Sequence, residues 1–129
     1  MNTRHLIDYG YFFFLEDSIY DNFFVKIPSG VRTRDELFDV LSEKLKFPEY
    51  FGRNWDALDD LFRDFSWIPE HTVILAHADM PMDNPALQRT YLEILRDSAA
   101  DWKSGEAHKF IVTFPSSLHE KVDEILNTV

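Results

Sequence analysis

The sequence predicts an α/β fold, a small three-stranded parallel sheet packed with helices, with an extra N-terminal edge strand and a C-terminal helix at its ends. Three observations carry that expectation. Short β-favouring runs alternate with stretches of helical apolar spacing, and such alternation implies right-handed crossovers between parallel strands. Thr72-Val73-Ile74-Leu75-Ala76 is almost continuously apolar, the pattern of a strand buried on both faces. The helical stretches open on recognisable cap residues. At 129 residues the chain can bury about two thirds of its unfolded surface around one core, so a single domain over residues 1–129 is expected.

In chain order, Phe23-Phe24-Val25-Lys26-Ile27 reads as a strand closed by Pro28, Ser29 and Gly30. Thr33-Arg34-Asp35-Glu36 has the capping-box form, and Leu37, Val40, Leu41 and Leu45 continue it as a helix that must stop before Pro48. A second helix is expected from about Trp55 to Phe65, ahead of Pro69. After the strand at Thr72, Asn84-Pro85 supplies an N-cap and a first-turn proline for a third helix. Leu87, Tyr91, Ile94, Leu95 and Trp102 can line its inner side, and Gly105 closes it. Lys109 to Phe114 is the third strand. Ser117-Leu118-His119-Glu120 is a second capping box, opening a last helix whose Leu118, Val122, Ile125, Leu126 and Val129 form a stripe for the core or for a partner helix. Tyr11-Phe12-Phe13-Phe14-Leu15 fits an added strand at the sheet edge.

Charge narrows the function classes. The net charge is −10, and residues 49–101 hold eleven acids against four bases, so the field is concentrated mid-chain. Such a domain repels nucleic acid and anionic lipid and attracts a basic protein. The absence of cysteine excludes a disulfide scaffold and a thiolate zinc site, and it fits a reducing cytoplasm. The N-terminus lacks the apolar core and cleavage site of a secretory signal, and no run reaches the roughly 20 apolar residues of a membrane span.

The stretch that bears on chemistry is Pro48 to Phe62, a loop read as turned by Gly52 and leading into an acid-faced helix. Wound at about 100° per residue, Trp55, Leu58, Leu61, Phe62 and Phe65 share one face. Asp56, Asp59, Asp60 and Asp64 share the other, interrupted only by Arg63. Asn54 is a good N-cap, and the helix dipole alone explains Asp56 in the first turn. The dipole does not explain Asp59, Asp60 and Asp64, which read either as a solvated face or as a surface for a basic partner. Like charges at this spacing destabilise a helix by roughly 0.2–0.5 kcal/mol per pair, which favours a use for the field.

From Leu41 to Leu75 the chain resembles the barstar family of intracellular ribonuclease inhibitors. The signature, a Pro-Glu-Tyr-aromatic-Gly-x-Asn loop before a helix with Asp-Ala-Leu, stands here as Pro48-Glu49-Tyr50-Phe51-Gly52-Arg53-Asn54-Trp55-Asp56-Ala57-Leu58. A weaker likeness extends over roughly residues 22–114. The resemblance implies that loop and helix plug the active-site cleft of a basic ribonuclease, carboxylates standing where RNA phosphates lie. The implied partner-binding residues are Tyr50, Gly52, Asn54, Asp56, Asp59, Asp60, Asp97 and Asp101, with Asp60 entering the phosphate site. Asp59 departs from the family, which often carries an aromatic there. The implied protein is not an enzyme, needs no cofactor, and works in the cytoplasm as a monomer or weak dimer.

Two other readings stand beside it. One is an immunity or adaptor protein for a basic toxin that is not a ribonuclease; the other is a hydrolase holding Mg²⁺ or Ca²⁺ between Asp56, Asp60 and Asp97. His5, His71, His77, His108 and His119 are scattered without zinc-site spacing and are expected to be surface or hydrogen-bonded histidines. Ser116 and Ser117 lack the turn that exposes a serine nucleophile.

Overall fold

Every residue of β2 (Thr72–His77) is buried, and the strand lies between two parallel neighbours in the computed structural model, which describes residues 22–127. On one side β1 (Asn22–Ile27) sets Val25 opposite Leu75; on the other β3 (Lys109–Thr113) sets Val112 opposite the same residue. The continuous apolar run thus occupies the middle of the sheet, as expected. The edge strand expected at Tyr11 to Leu15 and the stripe residue Val129 lie outside the described residues.

Four helices complete the α/β fold. The Thr33 capping box forms as read: its hydroxyl accepts from the Glu36 amide at 3.1 Å, the Glu36 carboxylate accepts from the Thr33 amide, and α1 (Arg34–Leu45) follows. Asn54 caps α2 (Trp55–Phe62) and Asn84 caps α3 (Pro85–Asp101), each through a side-chain oxygen accepting an amide three residues on. α4 (His119–Asn127) packs Val122 into the core, with Leu118, Ile125 and Leu126 against it, so the stripe faces inward.

Three boundaries differ from expectation. α2 ends at Phe62 because the chain turns over Arg63 and Asp64 into Phe65, which takes a left-handed φ of 52°. α3 ends at Asp101, and Gly105 lies in a separate turn closed by the Glu106 amide on the Lys103 carbonyl. The Ser117 box is replaced by a short 3-10 turn, Ser116–Leu118, without a side-chain cap.

One buried polar pair is set into this core. The Thr113 carbonyl can only accept, so His77 donates to it from Nδ1 at 2.9 Å, and Nε2 accepts from the Tyr91 hydroxyl at 2.7 Å. The ring stacks on Phe114. Burial holds His77 neutral, its pKa lowered from 6.5 to about 4, and pushes the Tyr91 phenol above its usual range. Below pH 6.5 the unfolded chain takes up a proton on this imidazole that the folded protein refuses, so stability falls as pH drops to about 4. The loss attributable to His77 at the lower end is about 3 kcal/mol. Urea unfolding across this window checks it: a His77→Phe/Tyr91→Phe double variant should lose that much less stability on acidification, and parallel losses would contradict it. His108 is the second buried histidine, bonded to the Ile68 carbonyl at 2.8 Å, while His71 and His119 are exposed.

Candidate partner-binding surface

The loop from Pro48 to Asn54 is tied down by its neighbours. Phe51 meets Phe38 and Phe47 edge-on at 5.5 and 4.9 Å. Arg53 reaches α1, its guanidinium 2.9 Å from Asp39 and 5.9 Å from the centre of the Phe38 ring. Arg53, not Gly52, adopts the left-handed backbone, with φ 54°. A Cβ on Gly52 would meet the Asn54 amide nitrogen at 3.4 Å and the Ala57 methyl at 3.6 Å, ordinary contacts, so the turn itself does not demand glycine. The anchored Phe51 contrasts with Tyr50, which is 72% exposed at the loop tip. A large aromatic shown to solvent from a clamped loop loses little conformational freedom when covered.

The acids of α2 fall into two groups. Asp56 and Asp60 are exposed, one helical turn apart, and neither carboxylate makes an ion pair or hydrogen bond among the described residues. Asp59 is instead held by Arg63 at 3.0 Å, and the same guanidinium reaches Asp101 at the end of α3. Next to this bridge the Trp102 indole N–H donates to the Phe62 carbonyl at 2.9 Å, closing the last turn of α2. Two of the predicted acids, Asp59 and Asp101, therefore share one cation and tie α2 to α3. Asp97 pairs with its neighbour Arg96 at 2.9 Å, a half-exposed pair of the kind worth about 0–1 kcal/mol. Asp64 lies beyond the helix and accepts from the Ser66 hydroxyl at 3.2 Å.

The structure thus places the eight predicted residues differently. Tyr50, Gly52, Asp56 and Asp60 are exposed; Asn54 is exposed but caps α2; Asp59 and Asp101 meet at Arg63; Asp97 lies one turn before Asp101 on α3. Arg53 and Arg63 are the residues the sequence reading passed over. The i,i+4 spacing of Asp59 and Arg63 was a readable signal for one of them. Asp56, Asp60 and Asp97 do not form a metal site: among the described residues no three Asp, Glu, His or Cys side chains are grouped to hold an ion. A pocket of about 100 Å³ beside the bridge, lined by Arg63, Ser98, Asp101, Trp102 and Glu106, is small against the roughly 300–1,000 Å³ of typical ligand sites.

Fold and surface together define a small α/β domain that displays a clamped aromatic loop beside an acidic helix. Residues 22–115 match the family described as Barstar (barnase inhibitor), and the chain belongs to that family. Comparison with the curated proteins gives no match. The family match begins at β1 and ends after β3, leaving α4 as an addition to it. Among the described residues no helix is long and apolar enough to cross a membrane.

Proposed function

We propose that this protein is a cytoplasmic inhibitor of a basic ribonuclease, binding one-to-one and closing the enzyme's active-site groove with the Pro48 to Asn54 loop and α2. The observation that carries this reading is the pair of uncompensated carboxylates, Asp56 and Asp60, next to an exposed Tyr50 on an anchored loop. Asp60 enters the site that holds an RNA phosphate, and Asp56 meets a second cation nearer the helix start. Tyr50 lays its ring on the rim of the groove, while Gly52 lets the partner's surface approach bare backbone. Asn54 contributes by fixing the helix start. Asp97 and Asp101 extend the acidic surface onto α3, with Asp59 and Arg63 holding that edge in place.

Charge complementarity of this kind acts on association more than on dissociation. The rate of association should drop at least about tenfold between low salt and 0.5 M salt, read by stopped-flow mixing with the purified ribonuclease. A flat salt dependence would contradict the reading. Tyr50→Ala should weaken inhibition by about 2 kcal/mol, roughly thirtyfold, with Tyr50→Phe retaining most of the apolar contact. Inhibition titrations of the two variants check this, and an unchanged Tyr50→Ala would place the loop outside the interface. Capture of partners from lysate at low and high salt names the target; a basic toxin without ribonuclease activity would overturn the enzyme class.

A further inference from the structure

The helices gather on one face of the sheet. The buried cluster joins Val25, Val73, Leu75 and Phe110 of the strands to side chains from each of the four helices. Two right-handed crossovers in the order β1-β2-β3 carry α1 and α3 to the same side. The alternate strand positions face the other way. There Phe24, Ile74 and Ile111 stand opposite one another in a single row across the three strands. Ile74 is 1% exposed and Ile111 7%, yet neither belongs to the helix-side core. Phe24, at the β1 end of the row, is 56% exposed. Thr72, Ala76 and Thr113 are buried on the same face, and the side-chain oxygen of Asn22 is buried there without a hydrogen-bond partner. Something other than the four helices covers the β2 and β3 half of this face.

We propose that the cover is the chain's own Tyr11-Phe12-Phe13-Phe14-Leu15, folded back across the helix-free face of the sheet. Three observations select this occupant. The chain ahead of Asn22 enters the sheet at β1, the strand next to β2, and residues 16–21 can span up to about 20 Å. Two strand spacings, about 10 Å, separate β1 from β3, so the run reaches Ile74 and Ile111 with chain to spare. The run is uncharged, carries four aromatic rings, and is flanked by Asp8, Glu16 and Asp17, an apolar plug between solvated ends. A second copy of the chain is the poorer occupant, since each copy carries a net charge of −10 and the two repel. A strand added only beside β1 would extend the sheet and leave Ile74, on the middle strand, uncovered. The fold-back places this segment on the side of the sheet away from the helices, leaving the acidic surface open.

The test uses the full chain labelled at the isoleucine δ1 methyls. Nuclear Overhauser contacts are expected from Ile74 and Ile111 to aromatic rings of residues 11–14, assigned by single Phe12→Leu, Phe13→Leu and Phe14→Leu variants. In a sample mixing labelled and unlabelled chains, those contacts should remain within one molecule. Contacts only between molecules would make the cover a second copy, and no contacts at all would leave the face to another segment; either overturns the proposal. A Phe12→Ser/Phe13→Ser/Phe14→Ser variant of the full chain should raise the fluorescence of an apolar dye severalfold with the far-ultraviolet circular dichroism retained. An unchanged dye signal would count equally against the fold-back.

Discussion

Asp60→Ala should weaken binding to the target ribonuclease by about 2–5 kcal/mol, a loss of roughly thirtyfold to several thousandfold, a range that rests in part on barnase–barstar pairs. The carboxylate is exposed and unpaired in the free protein, so the free protein gives up no intramolecular ion pair when it docks. In the complex it faces cations that evolved to hold phosphate, inside a groove that loses its water. Truncation then strands those cations, and most of the loss comes from them. Asp64→Ala is the matched control, one helical turn further along. Its carboxylate lies beyond the end of α2 and accepts a hydrogen bond from Ser66, so its removal should cost no more than about 1 kcal/mol. Calorimetric titration of both variants separates the two positions, and equal losses would contradict the docking mode.

Phe65→Ala should destabilise the folded protein by about 3–5 kcal/mol. Phe65 is fully buried, stacked on Trp102 at 6.0 Å and edge-on to Phe110 at 5.1 Å, and it is the residue that ends α2. Its left-handed φ of 52° costs an L residue about 1–2 kcal/mol, a strain that the ring's burial offsets. That geometry gives the test a distinctive sign. Glycine normally destabilises relative to alanine, but here Phe65→Gly should be about 1 kcal/mol less harmful than Phe65→Ala, because glycine adopts this φ freely. Urea unfolding of the two variants decides it; the usual order, alanine above glycine, would show that the turn is not strained.

The legible parts of this fold were those encoded locally. The Thr33 box, the Asn54 and Asn84 caps and the apolar run at Thr72 depend on neighbouring residues, and each forms as its residues predict. The end of α2 was not legible because it depends on Phe65 meeting Trp102 and Phe110, both distant in sequence. The Ser117 box failed although its residues fit, since the chain leaves β3 through Pro115 into a 3-10 turn instead. Within the candidate surface, spacing correctly put Asp56 and Asp60 on an exposed face, and the family likeness is confirmed. Spacing could not show that Arg63 draws Asp59 towards Asp101, a pairing that spans α2 and α3, nor that Arg53 rather than Gly52 turns the loop.

The central claim is that carboxylates of α2 take the place of RNA phosphates in an enzyme's groove. Competition with a small nucleotide bound at the active site of the captured ribonuclease tests it most directly. The account predicts mutually exclusive binding, with the apparent affinity of this protein falling in proportion to nucleotide occupancy, and Asp60→Ala binding more weakly but still competitively. A ternary complex of enzyme, nucleotide and this protein, with affinity unchanged by the nucleotide, would contradict it.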